Sequence, residues 1–213
     1  MHTLKYFDFF EYPPNLEQLA LFSHVVCGVP EVTTCVDELV LKGTAFRWGG
    51  RVALRRHVQK VFESKSETFF SQTQELFPIK WFCWIPSIQY IGLSGSRSMV
   101  HSDPDADIDL FLITTTNTVW STRLILLTIT RVLSLIGHRT ARKLCWNIMI
   151  EDSNLQMPIG KRNEYIAHEV LQLKTIFERH HIHDRFMRAN SWISKIFPNV
   201  QVTYTGKERL YCA

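Results

Sequence analysis

Two aspartates, Asp107 and Asp109, open a run of apolar residues that extends over 107–114. Its density of Ile, Leu and Phe predicts a strand that is buried on both faces. Because side chains alternate along a strand, the two carboxylates project from one face while Ile108 and Leu110 point to the other. Neighbouring carboxylates repel each other unless they share a cation. The sequence therefore predicts a Mg²⁺ or Mn²⁺ site on this aspartate pair.

The residues before this strand predict a phosphate-binding turn. A short strand over 89–93 is followed by Ser94, Gly95 and Ser96, and a helix is expected to begin at Gly95. Such a turn directs backbone N–H groups and hydroxyls toward one point, which suits a phosphate. Arg97 follows the turn at once and is a candidate phosphate contact. Arg123 is either a second phosphate contact or a structural residue.

The two features together indicate a class of chemistry. Twelve residues lead from Gly95 to Asp107, and a phosphate-binding turn combined with a metal-binding acid pair equips a site for phosphoryl or nucleotidyl transfer. The pattern, Gly95-Ser96 followed by Asp107-Ile108-Asp109-Leu110, resembles the DNA polymerase β-like nucleotidyltransferase superfamily. More closely, the whole chain resembles bacterial nucleotidyltransferase-domain proteins that carry an N-terminal winged-helix-like unit. The segments that carry this closer resemblance are residues 6–13, 120–123, 145–147 and 163–169.

The resemblance implies a role for each matching residue. Gly95 and Ser96 would hold the triphosphate of an NTP such as ATP, with Arg97 beside them. Asp107 and Asp109 would be the catalytic residues, as ligands of the divalent ions. The implied reaction transfers an NMP from the NTP to an acceptor and releases pyrophosphate. The acceptor is a small molecule, a protein side chain or an RNA end.

A third carboxylate is the open question. Relatives usually supply one from a later strand, and the corresponding strand here, 144–150, carries Asn147. An amide can ligate a metal but cannot act as a general base at neutral pH. Glu151 or Asp152, at the end of that strand, is the candidate substitute. Cys145 is interpreted as a core residue of the strand. A catalytically weak or inactive nucleotide-binding module is therefore the alternative function.

The N-terminal residues predict a separate unit. Three helical segments and a Gly-Gly hairpin in residues 1–62 form a winged-helix pattern, which makes a DNA-binding regulator the second alternative. Its third helix, however, carries three acids and only Lys42 as a base, so a packing or partner-docking role is favoured over duplex binding. Residues 63–87 are expected to be a connecting helix and linker, and 88–213 a nucleotidyltransferase core.

The expected fold class is α+β, a mixed sheet with packed helices. After the aspartate strand, further helices are predicted over 118–136, 164–177 and 183–196, the last two as a C-terminal pair. His168 and Glu169 lie in the first of that pair, with His168 interpreted as a residue at the edge of the core. The three histidines within 180–183 are interpreted as a surface feature.

Charge and cysteine content set the expected surroundings. The net charge of +4 permits a nucleic-acid partner without requiring one. The five cysteines form no paired spacing and are expected to be free thiols in a reducing compartment. No signal peptide is visible, and the most apolar stretch, 124–136, is too short to span a bilayer. The expected location is the cytoplasm, without membrane attachment.

Overall fold

The chain forms two compact units. The computed structural model describes residues 1–72, 79–98 and 107–200, without the side chains of residues 65–72, Lys80 and Ser96. Unit 1 comprises Met1–Glu67 together with residues 192–200, and unit 2 comprises the described residues of 68–191. The predicted connecting segment, 63–87, is thus divided between the units, and unit 1 takes in residues from near the chain's end.

Unit 1 is built from helices and one hairpin. In chain order its elements are α1 (His2–Phe9), α2 (Leu16–Leu21), α3 (Val29–Leu41), β1 (Phe46–Trp48), β2 (Arg51–Ala53) and the first part of α4 (His57–Gln72). The helix α2 begins with a capping box, because the Asn15 side chain accepts from the Gln18 N–H at 2.7 Å and the Gln18 side chain accepts from the Asn15 N–H at 3.0 Å. The strands pair antiparallel around Gly49 and Gly50, which both have positive φ.

The core of unit 1 joins the helices to the hairpin. Leu4, Leu19, Val36 and Val52 are buried together in one apolar cluster. On α3, Asp37 and Glu38 remain exposed, so the outward face of this helix is acidic, as the sequence predicts. The connecting helix expected within 63–87 begins earlier, as α4 at His57, four residues after the end of β2 at Ala53.

Unit 2 is organised around a four-stranded sheet. Its helices are α5 (Ile79–Phe82), α6 (Gly95–Ser98), α7 (Val119–Leu135), α8 (Arg139–Lys143), α9 (Glu164–Leu171) and α10 (Ile182–Ala189). Its strands are β3 (Ile88–Leu93), β4 (Ile108–Thr114), β5 (Leu144–Glu151) and β6 (Lys174–Glu178). The strand order is β5-β4-β3-β6. The pair β4 and β5 is parallel, while β3 is antiparallel to both β4 and β6. The sheet is mixed, and the predicted α+β class is confirmed.

Helices cover both faces of the sheet. On one face, Leu110 and Trp146 pack in a buried cluster with Leu126 of α7 and Phe82 of α5. On the other face, the Phe111 ring lies 5.1 Å from that of Phe186 in α10. Asp109 alternates with Leu110 and so shares the face of Phe111.

The predicted C-terminal helical pair is interrupted. Residues 174–177, expected in the first helix, belong to the edge strand β6. The segment Thr175-Ile176-Phe177 is β-branched and aromatic, which suits a strand, and it pairs with the free side of β3, all six residues of which are buried. The second helix ends at Ala189, before a 3-10 turn at Ser191–Lys195. In the part of the chain that the structure describes, no helix is both long and apolar enough to cross a membrane.

Candidate active site

The aspartate pair and the glycine turn meet at one end of the sheet. Leu93, the last residue of β3, pairs with Leu110 of β4. Beyond this pair, the Ser94 N–H donates to the Asp109 carbonyl at 2.9 Å, and the Ser94 hydroxyl donates to the same oxygen at 3.3 Å. Because β3 and β4 are antiparallel, the turn that follows β3 lies beside the first residues of β4.

Gly95 lies against the carboxylate of Asp109. Its φ of +67° is in the left-handed region, and a Cβ atom at this position would stand 2.5 Å from Asp109 Oδ2. A side chain here is excluded both by the backbone conformation and by the carboxylate. Gly95 and Asp109, which the sequence proposes as partners in one site, are therefore brought into direct contact.

The charges around Asp109 are arranged unfavourably for its ionised form. Burial raises the pKa of the Asp109 carboxyl, and the nearby Asp107 charge raises it further. A hydrogen bond with the Cys145 thiol and the positive charge of Arg97 act in the opposite direction and lower this pKa. The aspartates are thus close enough to repel each other, which is the condition that a shared divalent cation relieves.

Arg97 is a buried cation beside the aspartates. It lies in α6 with only 2 % of its surface exposed. The same short helix is held by the Ser98 hydroxyl, which donates to the Gly95 carbonyl at 2.7 Å. The hydroxyl of Ser96, the other predicted phosphate contact, lies outside the described side chains. Asp103, Asp105 and the other residues of 99–106 also lie outside the described residues.

Cys145 is a site residue that the sequence interpretation misses. Its position opposite Asp109 in the parallel pair of β4 and β5 brings the thiol to the carboxylate. Burial raises the pKa of the Cys145 thiol, and the charge of Asp109 and the hydrogen bond with it raise it further. The sequence interpretation as a core residue is therefore wrong: the thiol belongs to the site. No local signal identifies it, because the β4–β5 register depends on long-range pairing.

The two candidates for a third position are placed differently. Asn147 lies where the β4–β5 register shifts, between the pairs Leu110–Trp146 and Phe111–Ile148, and its side chain is exposed. Glu151 pairs with Thr114, at the far end of β5. Five residues of strand separate Thr114 from Asp109, which corresponds to about 17 Å. The structure therefore does not bring Glu151 to the aspartates.

Glu169 of α9 supplies a carboxylate at the site. Its Oε2 accepts a hydrogen bond from the Gly95 N–H at 3.3 Å. Since Gly95 also touches Asp109, the oxygens of Glu169 and Asp109 are at most about 8 Å apart. Burial raises the pKa of the Glu169 carboxyl, the Gly95 hydrogen bond lowers it, and the Asp109 charge raises it. Tyr165, one helical turn earlier, has its phenol pKa raised by burial and by the charges of Glu169 and Asp109.

The sequence also singles out His168 and Arg123. His168, adjacent to Glu169 in sequence, is 1 % exposed and lies 4.0 Å from the Glu164 carboxylate, so it is deeper in the fold than the expected edge of the core. Arg123, in α7, lowers the pKa of Cys145 by its charge. Its guanidinium is therefore close enough to the Cys145 thiol to act on it electrostatically.

Comparison with known proteins gives no assignment. No protein-family model matches this chain, and no curated protein matches it either.

The donor chemistry at the site suits a hard divalent cation. Asp107 and Asp109 offer carboxylate oxygens, the ligands that Mg²⁺ and Mn²⁺ prefer. The Glu169 oxygen, by contrast, is engaged by the Gly95 N–H, and the three carboxylates do not all lie within 4.8 Å of one another. Burial, and to a smaller extent the charge of Asp107, raises the pKa of Asp109, so a bound cation would stabilise the ionised form of this carboxyl. Arg97 adds positive charge where an anionic ligand would meet the cation. A phosphate-bearing ligand with a divalent cation therefore matches both signs of charge at this end of the sheet.

Proposed function

We propose that unit 2 is a metal-dependent nucleotidyltransferase, which transfers an NMP from an NTP to a hydroxyl-bearing acceptor. The observation that carries this proposal is the contact between Gly95 and the Asp109 carboxylate. It joins a turn suited to phosphate and an acid pair suited to a cation, which are separate in sequence, in one site at the end of a mixed sheet. A winged-helix-like character for unit 1, with its three helices and hairpin, belongs to the same proposal.

Each residue has a defined part in the reaction. Asp107 and Asp109 would hold the divalent ion, which supplies charge neutralisation to the phosphates when bound. Arg97 would stabilise the negative charge of the triphosphate. The acceptor oxygen attacks the α-phosphorus, the bond from that phosphorus to the α–β bridging oxygen breaks, and pyrophosphate leaves with the electron pair.

Glu169 would take the part of the third carboxylate. Its Oε2 accepts the hydrogen bond from the Gly95 N–H. In the bound state, this same N–H would donate to the triphosphate. An entering phosphate oxygen would take over that hydrogen bond, and the released Glu169 carboxylate would accept the proton of the acceptor hydroxyl. The raised pKa of this carboxyl makes it a stronger base than an exposed glutamate.

One observation favours a nucleotide-binding module as the second candidate. The residue opposite Asp109 on β5 is Cys145, and the shifted residue Asn147 has no carboxylate. If Glu169 does not act as a base, the site retains its means of binding an NTP but lacks a group to activate the acceptor. Binding without turnover is the result that this candidate predicts.

Incubation with α-labelled NTPs tests the two candidates. The purified protein is supplied with Mg²⁺ or Mn²⁺ and with separate fractions of small molecules, RNA and proteins, and NTP binding is measured in parallel by calorimetry. We expect label transfer by the wild type and loss of both transfer and binding in Asp107→Ala/Asp109→Ala. Glu169→Gln should keep NTP binding and lose at least tenfold in transfer rate.

The matched control is Glu151→Gln, which removes a carboxylate from the far end of the same sheet and should change neither measurement. Binding without transfer in the wild type would favour the nucleotide-binding module. Absence of both binding and transfer would contradict both candidates.

A further inference from the structure

Tyr165 lies on the same side of α9 as Glu169. The two residues are four apart in this helix, so their side chains are neighbours on its surface. Side chains in an α-helix point back toward its N-terminus, which directs the Glu169 carboxylate over the turn that contains Tyr165. The Oε2 of that carboxylate accepts from the Gly95 N–H at 3.3 Å. The turn of α9 that carries Tyr165 therefore lies beside the glycine turn of the candidate active site.

Two carboxylates of the site act on the phenol of Tyr165. Burial raises the pKa of this phenol most, and the charges of Glu169 and Asp109 raise it further. Because the influence of a charge falls off with distance, the phenol lies close to both groups. Glu169 is the proposed base and Asp109 a proposed metal ligand. A hydroxyl near both groups is where the proposed reaction requires its acceptor.

The hydroxyl of Tyr165 is accessible and unengaged. Tyr165 is 51 % exposed, and no residue in the described part of the chain forms a hydrogen bond with its hydroxyl. Tyr12 and Tyr90 are different, because both are buried and both hydroxyls are hydrogen-bonded. The Tyr165 hydroxyl can therefore accept a transferred group without first losing a partner.

Attachment to the same unit favours this phenol as an acceptor. A group held beside a reaction centre reacts as if it were present at a far higher concentration than a group that must diffuse there. Gly95, Asp109 and Glu169 all belong to unit 2, as Tyr165 does. The placement of the hydroxyl thus requires neither unit 1 nor a second chain.

We propose that each chain transfers an NMP from an NTP to its own Tyr165 hydroxyl. The assignment rests on the proposed function of unit 2 and names a phenolic hydroxyl as the acceptor. The phenol oxygen attacks the α-phosphorus, the bond from that phosphorus to the α–β bridging oxygen breaks, and pyrophosphate leaves with the electron pair. Glu169 takes the phenol proton, and the product is an O-nucleotidyl-tyrosine. Because each chain offers one such phenol, the reaction stops at one NMP per chain.

Incubation of the purified protein with each α-labelled NTP and Mg²⁺, without an added acceptor, tests this transfer. We expect covalent label that saturates at one NMP per chain, and peptide mass spectrometry should place it on Tyr165. Tyr165→Phe removes only the hydroxyl and should lower the labelling at least tenfold, while calorimetry should still detect NTP binding. The matched control is Tyr6→Phe, which removes a hydroxyl from a tyrosine of unit 1 and should be labelled like the wild type.

Added acceptor fractions distinguish failure of this transfer from failure of the proposed function. Transfer to a small-molecule, RNA or protein fraction without label on Tyr165 would overturn the self-transfer and leave the proposed function standing. Absence of label on the chain and on every fraction would contradict both. Label that maps to another residue, or full labelling of Tyr165→Phe, would overturn the assignment to Tyr165. If that variant fails to fold, the position of the label on the wild type decides.

A mixture of two chains tests whether the transfer occurs within one chain. The wild type is combined with an affinity-tagged Asp107→Ala/Asp109→Ala variant, which keeps Tyr165 but lacks the proposed metal ligands. We expect label on the wild type alone, at a rate per chain that does not change when the protein is diluted. Label on the tagged variant would show transfer between chains and would overturn the self-transfer.

Discussion

Gly95 and Asp109 are in contact at the end of the sheet, so closely that a Cβ on residue 95 would stand 2.5 Å from Asp109 Oδ2. The carboxylate therefore occupies the space that any other residue at position 95 would need. The same glycine donates its N–H to Glu169 at 3.3 Å. One residue thus lies against two carboxylates of the candidate site.

Gly95→Ala should disrupt the site beyond its effect on the backbone. An alanine in the left-handed conformation costs about 1–2 kcal/mol, and here it must also displace the Asp109 carboxylate. We expect NTP affinity, measured by calorimetry with Mg²⁺, to fall at least tenfold. Gly43→Ala is the matched control, because Gly43 has φ +68° with nothing within 4 Å of its Cβ position. It should lower stability by a similar backbone cost and leave NTP affinity unchanged. Equal affinities for the two variants would argue against the site.

Asp109→Asn should stabilise the protein at neutral pH. Burial raises the folded-state pKa of Asp109 above its unfolded value, so its favourable contribution is present below the unfolded pKa and is lost as pH rises through the folded pKa. Removing the charge should increase the free energy of unfolding at pH 7 by about 1 kcal/mol. The gain should shrink toward acid pH, where the wild-type carboxyl is already protonated. Urea unfolding at several pH values measures it.

The control for this stabilisation is Asp37→Asn, a change at an exposed acid of α3. It should alter the free energy of unfolding by less than about 0.5 kcal/mol. An Asp109→Asn variant that is less stable than the wild type at pH 7 would contradict the electrostatic account.

Cys145→Ala should move the pH dependence of metal-assisted NTP binding. The hydrogen bond with the Cys145 thiol lowers the pKa of Asp109, so its removal raises that pKa further. Since the ionised carboxylate is the metal-binding form, binding should be lost at a higher pH on the acid side. Cys145→Ser retains an O–H donor and should keep the wild-type midpoint.

A substitution at a second cysteine serves as the control for the loss of a thiol in general. Cys83 packs against the core on the opposite face of the sheet, and Cys83→Ala should leave the midpoint of the binding curve where it is. If Cys145→Ala and Cys145→Ser shift the midpoint equally, the hydrogen bond is not the cause.

Asn199→Ala should destabilise unit 1. The Asn199 amide donates to the carbonyls of Ala20 at 2.8 Å and Val25 at 2.9 Å, and its oxygen accepts from the Cys27 N–H at 3.1 Å. Truncation removes all three hydrogen bonds, although the Ala20 carbonyl still accepts from the Ser23 N–H at 3.2 Å. We expect a loss of about 2–4 kcal/mol in chemical denaturation. The exposed Asn147 provides the comparison, since Asn147→Ala should cost less than about 0.5 kcal/mol. A near-neutral Asn199→Ala would show that water replaces the amide.

Local pattern was sufficient for much of the framework. The alternation around Asp107 and Asp109 correctly predicts the start of β4. The helix over 118–136 is also confirmed, as α7. In each case the decisive interactions are between residues close in sequence, so the pattern of the segment is enough.

Long-range pairing decided what the segments could not. The parallel register of β5 on β4 places Cys145 opposite Asp109 and Glu151 opposite Thr114, at the far end of the strand. Residues 174–178 became a strand because β3 offered an unpaired side. The helical periodicity of 118–136 predicts that α7 is a helix, but it does not tell which side of that helix packs on the sheet. Only the packing in the folded chain decides this. The sequence by itself thus determined most of the elements and the position of the two aspartates at the start of β4, while only the tertiary structure decided which side chains surround that pair.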